Sequence, residues 1–259
     1  MNTEWLNQLP VFLLVLIRVI AFFTSMPLFT YRTIPASFKV GLAIFFAFIM
    51  MFTLDAPSLE MNSTYILLIF KEMLVGLSIG LLAGMMVYAV QVAGMFLDIA
   101  FGFLVANVID PQTGAQSPLM GGYLYTLTLL FLLAVDGHHL MMDGMYYSYQ
   151  FIPIEQLTLP FGEEAVAQHV LSAFSTMFMI AFQMSFPIVG SLFLIDVALG
   201  MMSRAVPQMN VFVVGLPLKI FAGLPLLALT MPAFFMAADH LFDEMFTAMR
   251  TLMELFGGA

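Results

Sequence analysis

Long continuous apolar runs, with no polar-apolar alternation inside them, set the pattern of this chain. They extend from about Leu9 to Phe29, Val40 to Leu54, Met73 to Leu97, Gly121 to Val135, Val170 to Ile195 and Val211 to Ala238. A helix that crosses a bilayer needs roughly 20 apolar residues, whereas about 10–14 suit a re-entrant or protein-buried segment. The second and fourth runs are short by that measure. The pattern therefore predicts an all-α fold with about six hydrophobic segments, of which not all need be full crossings. Membrane β-strands would alternate polar and apolar positions over about ten residues, which these runs do not. Nothing resembling a linker or a charge block separates them, so residues 1–259 read as one domain.

Composition narrows the class. Of 259 residues, 62% are hydrophobic and 9% charged, and the mean hydropathy is +1.03. Soluble domains carry about 25% charged residues, so much of this exterior must meet lipid or other protein. A net charge of −9 argues against a nucleic-acid partner, because binding to phosphates needs clustered Lys and Arg. The lack of cysteine excludes disulfides and thiolate chemistry. The start, MNTEWLNQLP, has no basic region of a signal peptide, so the first run is expected to be retained. Arg32 and Lys39 fall in the first connector and Arg204 precedes the sixth run, while Asp136 to His169 holds five acidic residues and no Lys or Arg. If all six runs crossed, the first and fifth connectors would be cytoplasmic and both termini outside.

The polar residues inside the runs are the candidates for function. Arg18 sits in the middle of VFLLVLIRVIAFF, where an exposed arginine would cost about 2.5–3.5 kcal/mol on insertion scales. Snorkelling, a structural ion pair, an aqueous path or a subunit contact would each keep it from hydrocarbon. Gly76, Gly80 and Gly84 recur every four residues, a spacing that lets helices approach closely where no hydrophobic force drives association. Gln91, Gly94 and Asp98 continue a polar side along the same run. The stretch from Asp98 to Gly122 carries the turn signals Asp110-Pro111 and Thr113-Gly114 yet stays apolar through Phe101 and Phe103. It suits either a buried turn or a segment that narrows a pore.

Arg204, Pro207, Gln208 and Asn210 form a polar cluster before the sixth run. Pro207 and Pro217 are expected to interrupt helical hydrogen bonding there, as broken helices do around ion sites in transporters. Lys219 adds a positive charge that Asp196 could neutralise, as it could Arg204. Asp136, His138, His139 and Asp143 look like metal ligands, but adjacent histidines are expected to diverge on a helix, so a helix-end cap or an interface is preferred and no metal or other cofactor is expected. Asn62 begins an NST sequon.

Taken in order, these residues carry a resemblance. The arginine-bearing first run, KEMLVGLSIGLLAG, QVAGMFLDIAFGF followed by DPQTG, DGHH, and above all PIVGSLFLIDVALGMMSRAVPQMNVFVVGLPLKI resemble the FliR/SpaR/EscT-like family of type III secretion export-gate subunits over nearly the whole chain. The resemblance implies a fold like a fused FliP-plus-FliQ unit within a helical assembly. It implies FliP- and FliQ-like partners in a hetero-oligomer, FlhB- and FlhA-like export components beside them, and unfolded flagellar subunits as the cargo. The expected location is the bacterial inner membrane and the flagellar basal body, with part of the assembly above the membrane plane. Partner subunits would then replace lipid around some apolar helices. A cytoplasmic C-terminus, suggested by relatives fused to FlhB, is preferred over the outside one drawn from the charges.

The family's inner loop matches Asn107 to Gly122, with Phe101 and Phe103 near its base; Asn107, Asp110, Pro111, Gly114, Gly121 and Gly122 are thereby expected to help close a channel. The glycines of the third run are assigned to packing. Arg18, Asp98, Asp196, Pro217, Lys219 and the cluster from Arg204 to Asn210 are assigned to a structural joint or to assembly. Two other functions compete with a noncatalytic export-channel subunit. An ion-coupled small-solute transporter would use the charged residues and the broken sixth run, and an intramembrane enzyme would use Asp136 and His138.

Overall fold

The computed structural model describes residues 4–29, 34–54, 59, 62–103, 118–208 and 210–258. Helix is the regular structure among them: α1 (Glu4–Ser25), α2 (Ala36–Thr53), α3 (Ser63–Val87), α4 (Ala89–Phe101), α5 (Leu119–Ala134), α6 (Gly137–Phe151), α7 (Glu164–Ala205) and α8 (Val211–Gly257). Asparagine starts two of them. Asn62 Oδ1 accepts from the amides of Thr64 at 3.0 Å and Tyr65 at 3.2 Å, and Asn210 Oδ1 accepts from Phe212 at 3.1 Å and Val213 at 3.4 Å. Each satisfies first-turn donors that a helix cannot bond internally. In this fold the sequon asparagine is thus occupied as a helix cap.

Five stretches are long and apolar enough to cross a membrane: Gln8–Ser25, Ala36–Thr53, α3 with α4 as Ser63–Phe101, α7 and α8; α5 and α6 make a sixth if taken together as one broken span. The short second run is lengthened by its helix to 18 residues. The fifth and sixth runs underestimate their helices by more, because α7 reaches 42 residues and α8 47. The segment after Asp136, which carries no strong apolar run, contains the helix α6.

The expected break at Pro217 is corrected by the structure. Pro217, Pro225 and Pro232 all lie inside one continuous α8. Proline removes one backbone donor and crowds the preceding turn, but ending the helix in apolar surroundings would expose several unpaired backbone groups instead. Continuity costs less. This removes the broken sixth run as a support for ion-coupled transport. Pro207 does lie outside helix, in the turn between α7 and α8.

The contacts divide the chain into two compact units. The first comprises Met1–Met86, Asp136–Phe174 and Asp243–Ala259; the second comprises Val87–Val135 and Ser175–Phe242. In the first, α1 packs on α2, and Leu14, Phe22, Phe23, Ile79, Met141, Met145, Met245 and Leu252 are buried. In the second, α4 packs on α5, and Leu97, Phe101, Leu124, Leu132, Ile188 and Leu241 are buried. Methionine fills irregular gaps in the first core because its unbranched chain adapts to them. Helices α2 and α8 are far less covered. In the most apolar stretch of α2 22% of positions are buried, and in that of α8 17%. Phe45, Phe193, Phe221, Leu229 and Met236 are largely exposed.

Candidate functional site

Two buried polar centres stand out, one in each unit. In the first unit, Arg18 of α1 and Glu72 of α3 are wholly buried. Arg18 donates through Nε to Glu72 Oε2 and through Nη2 to Glu72 Oε1 at 2.9 Å. Further bonds run from Nη1 to Ser148 Oγ at 2.9 Å and from Nη2 to the carbonyl of Ile152 at 3.1 Å. The guanidinium lies over the Tyr149 ring, 3.6 Å from its centre, and the Tyr149 hydroxyl donates to Glu72 Oε2 at 3.3 Å. Lys71 Nζ also donates to Glu72, and to the carbonyls of Pro153 at 3.0 Å and Ile154 at 3.1 Å.

The charges do not cancel among the three side chains, since two cations face one carboxylate. The balance comes from backbone. Ile152 is the C-cap of α6 and Pro153 and Ile154 follow it, so their carbonyls present partial negative charge near the negative end of the helix dipole. The cluster therefore ties α1, α3 and the end of α6 together through charge pairing and backbone carbonyls. Of the readings open for Arg18, the ion pair is the one observed.

The glycines of α3 explain how that pair can form. A Cβ at Gly76 would strike the Arg18 carbonyl and stand 2.9 Å from Ala21 Cβ; one at Gly80 would stand 2.9 Å from the Phe22 carbonyl. One at Gly84 would lie 3.2 Å from the carbonyl of Ser25. The stripe brings the α3 backbone against α1, close enough for Glu72 to reach Arg18.

In the second unit, Asp98 of α4 is wholly buried. Its Oδ1 accepts from the Met120 amide at 3.1 Å and its Oδ2 from the Gly121 amide at 3.4 Å. These amides belong to the first turn of α5, whose preceding residue, Pro118, makes no side-chain cap. Asp98 supplies from a neighbouring helix the acceptor that Ser, Asp or Asn would supply locally, and its negative charge suits the positive helix end. Gly94 and Gly121 meet backbone to backbone, because a Cβ on Gly94 would overlap Gly121; a Cβ on Gly121 would stand 3.2 Å from the Gln91 carbonyl. Gln91, Gly94 and Asp98 thus share the face that receives α5.

The chain on either side of 104–117 is anchored in this second unit. Phe101 is buried and stacks on Phe103 with ring centres 5.3 Å apart. Its ring occupies the space that a Cβ on Gly223 of α8 would need. Gly102 ends α4 with φ 84°, a conformation that favours glycine. On the other flank α5 begins at Leu119, so Gly121 and Gly122 lie within helix. Asn107, Asp110, Pro111 and Gly114 lie outside the described residues.

The remaining candidates do not converge on either centre. Asp196 pairs with Lys219 at 2.6 Å, across α7 and α8. Together with Gly102, Leu199, Gly215 and Leu216 they line a cavity of about 230 Å³. Pro217 is exposed on α8. Arg204, Pro207, Gln208 and Asn210 are exposed around the turn before α8; of these, Asn210 has the capping role. The histidine reading needs correction, since His138 and His139 do not diverge: their ring centres are 4.0 Å apart at the start of α6. Sequence reasoning missed Glu72, Lys71, Ser148 and Tyr149 as partners of Arg18. The available signal was the Lys71-Glu72 pair, which lies inside a helix and next to an apolar run.

A buried ion cluster, a glycine-lined helix seam and long outward apolar faces define a membrane helical subunit built to be covered by lipid and by other protein. The chain matches the family described as bacterial export proteins, family 1, over residues 9–245 and belongs to it. It is 52% identical to the flagellar biosynthetic protein FliR of Bacillus subtilis, over 97% of this chain and 98% of that one. It is 27% identical to the protein of the same name from Escherichia coli, over 97% and 96% of the two chains. Similarity reaches beyond flagella to the Yop proteins translocation protein T of Yersinia pestis, at 31% identity over 64% of this chain and 63% of that one.

Proposed function

We propose that this chain is a noncatalytic subunit of the bacterial flagellar type III protein export gate, where it helps to form and close the channel for unfolded flagellar subunits. The observation that carries the reading is 52% identity, sustained over almost the full length of both chains, with a flagellar biosynthetic protein. The outward apolar faces of α2, α7 and α8 support it physically. Buried ion pairs cannot hold such faces together, and FliP- and FliQ-like subunits would cover what lipid does not. FlhB- and FlhA-like components and the exported chain complete the set of partners, in the inner membrane at the flagellar basal body.

Within that reading the segment from Asn107 to Gly122 constricts the channel. Its described flanks support an anchored loop: Phe101 is locked in the core at one end, and Asp98 holds the first turn of α5 at the other. The cluster from Arg204 to Asn210 acts as a joint between α7 and α8, supported by the capping of α8 by Asn210. The fold corresponds to a fused FliP-plus-FliQ unit, acting as a single export-gate domain across residues 1–259. The test is affinity purification from native membranes with intact mass measurement of what is recovered. Recovery with FliP- and FliQ-like subunits is expected. A solitary chain or a symmetric homo-oligomer would sink the assignment.

A further inference from the structure

We propose that Asp136, His138 and His139 form a binding site for a divalent transition metal of the zinc class at the start of α6. One donor atom from each residue lies within 4.8 Å of the other two. Metal–nitrogen and metal–oxygen bonds of about 2.0–2.2 Å at tetrahedral angles place neighbouring donors about 3.4 Å apart. The carboxylate of Asp136 already stands 3.4 Å from His139 Nδ1. Bringing the third donor from at most 4.8 Å to that spacing takes a side-chain movement of up to about 1.4 Å.

Two further features mark the site. Asp136 has φ 57°, the left-handed conformation common just after a helix C-cap, here Val135 of α5, and one that aspartate adopts more readily than most residues with a side chain. It precedes the first residue of α6, yet its side chain makes no capping bond to that helix. His138 Nδ1 is buried without a hydrogen-bond partner, an uncommon state for a ring nitrogen that can donate or accept. The left-handed turn places the Asp136 carboxylate beside His139, and an imidazole with an unmatched nitrogen stands next to it.

Two imidazoles and one carboxylate favour zinc, cobalt, nickel or copper over magnesium or calcium, which prefer all-oxygen shells. The positive end of α6 opposes a cation, and the Asp136 carboxylate offsets it. Three protein ligands leave a fourth position open, and Asp136 and His139 are exposed, so that position is accessible. A bound ion would lock the Asp136 turn to the first turn of α6.

The experiment is equilibrium dialysis of the full-length chain, in its purified membrane complex, against Co²⁺, read by absorption and metal analysis, followed by displacement with Zn²⁺. One Co²⁺ per copy of this chain, released by Zn²⁺, is expected in excess of the Asp136→Gly complex. Asp136→Gly removes a ligand while glycine accepts the left-handed turn, so folding is preserved. His139→Ala should lower affinity at least tenfold, and His240→Ala, on the exposed side of α8, should leave it unchanged. No saturable uptake by the wild-type complex would overturn the proposal. So would uptake that Asp136→Gly and His139→Ala leave intact.

Discussion

Glu72 in the first unit meets two cations and a tyrosine hydroxyl, whereas Asp98 in the second meets two backbone amides. Both carboxylates are wholly buried. The first belongs to a cluster of side chains from three parts of the chain, so each member is the partner of several others. The second is positioned by what its surroundings lack, since α4 and α5 approach only because Gly94 and Gly121 carry no side chain. One centre depends on charge balance and the other on empty space, and each should fail under a different kind of substitution.

Removing charge from the first unit should have the largest effect. Glu72→Gln strands Arg18 and Lys71 without a counter-charge. Breaking a buried ion pair from one side costs about 3–5 kcal/mol, a large part of a typical folding stability. The chain should fall to a small fraction of its normal level in membranes, with a lowered thermal midpoint of the purified complex. Adding Arg18→Met should recover part of the loss, because the remaining Lys71 still has the carbonyls of Pro153 and Ile154. Strict additivity of the two changes would show that these residues do not act as one cluster.

That comparison also marks what the sequence could reveal. Most of the helices were legible because continuous apolar runs and their lengths are local, and so was the demand that Arg18 avoid lipid. Its partner was not, because Glu72 lies 54 positions away and any of several acidic residues satisfies the same demand. Ser148 and Tyr149 were hidden for a different reason. They sit on α6, a helix of mixed polarity that hydropathy alone reads as a connector. The glycine stripe announced close packing but not that α1 was the neighbour. The prolines of α8 misled because their local cost is real, while the larger cost of unpaired backbone in apolar surroundings depends on the whole assembly.

Adding volume should have a smaller effect, centred on the second unit. Gly94→Ala places a methyl group against the backbone of Gly121, so two helices must part. Overpacking of this kind costs about 1–3 kcal/mol. Gly41→Ala on α2 is the matched control, because a Cβ there meets nothing within 4 Å, and alanine is the better helix former by up to about 1 kcal/mol. Thermal unfolding of the two purified variants should therefore move in opposite directions. A fall in both would mean that the surface of α2 around Gly41 is covered tightly in the assembled complex.

The finest distinction comes from Asp98→Asn, which keeps size and one acceptor but loses the charge and the second acceptor. The amide oxygen can hold the Met120 or the Gly121 N–H, and the other is left facing an NH₂ group. The expected loss is about 1 kcal/mol, the net value of a typical hydrogen bond and well below that for Glu72→Gln. It should be local. Hydrogen exchange in the first turn of α5 should accelerate by roughly five- to tenfold, the factor that such an energy implies, while α1 and α3 keep their protection. Unchanged exchange at Met120 and Gly121 would mean that glycine packing alone holds α4 to α5. Faster exchange throughout the chain would mean that Asp98, like Glu72, supports the fold as a whole, and the contrast between the two centres would collapse.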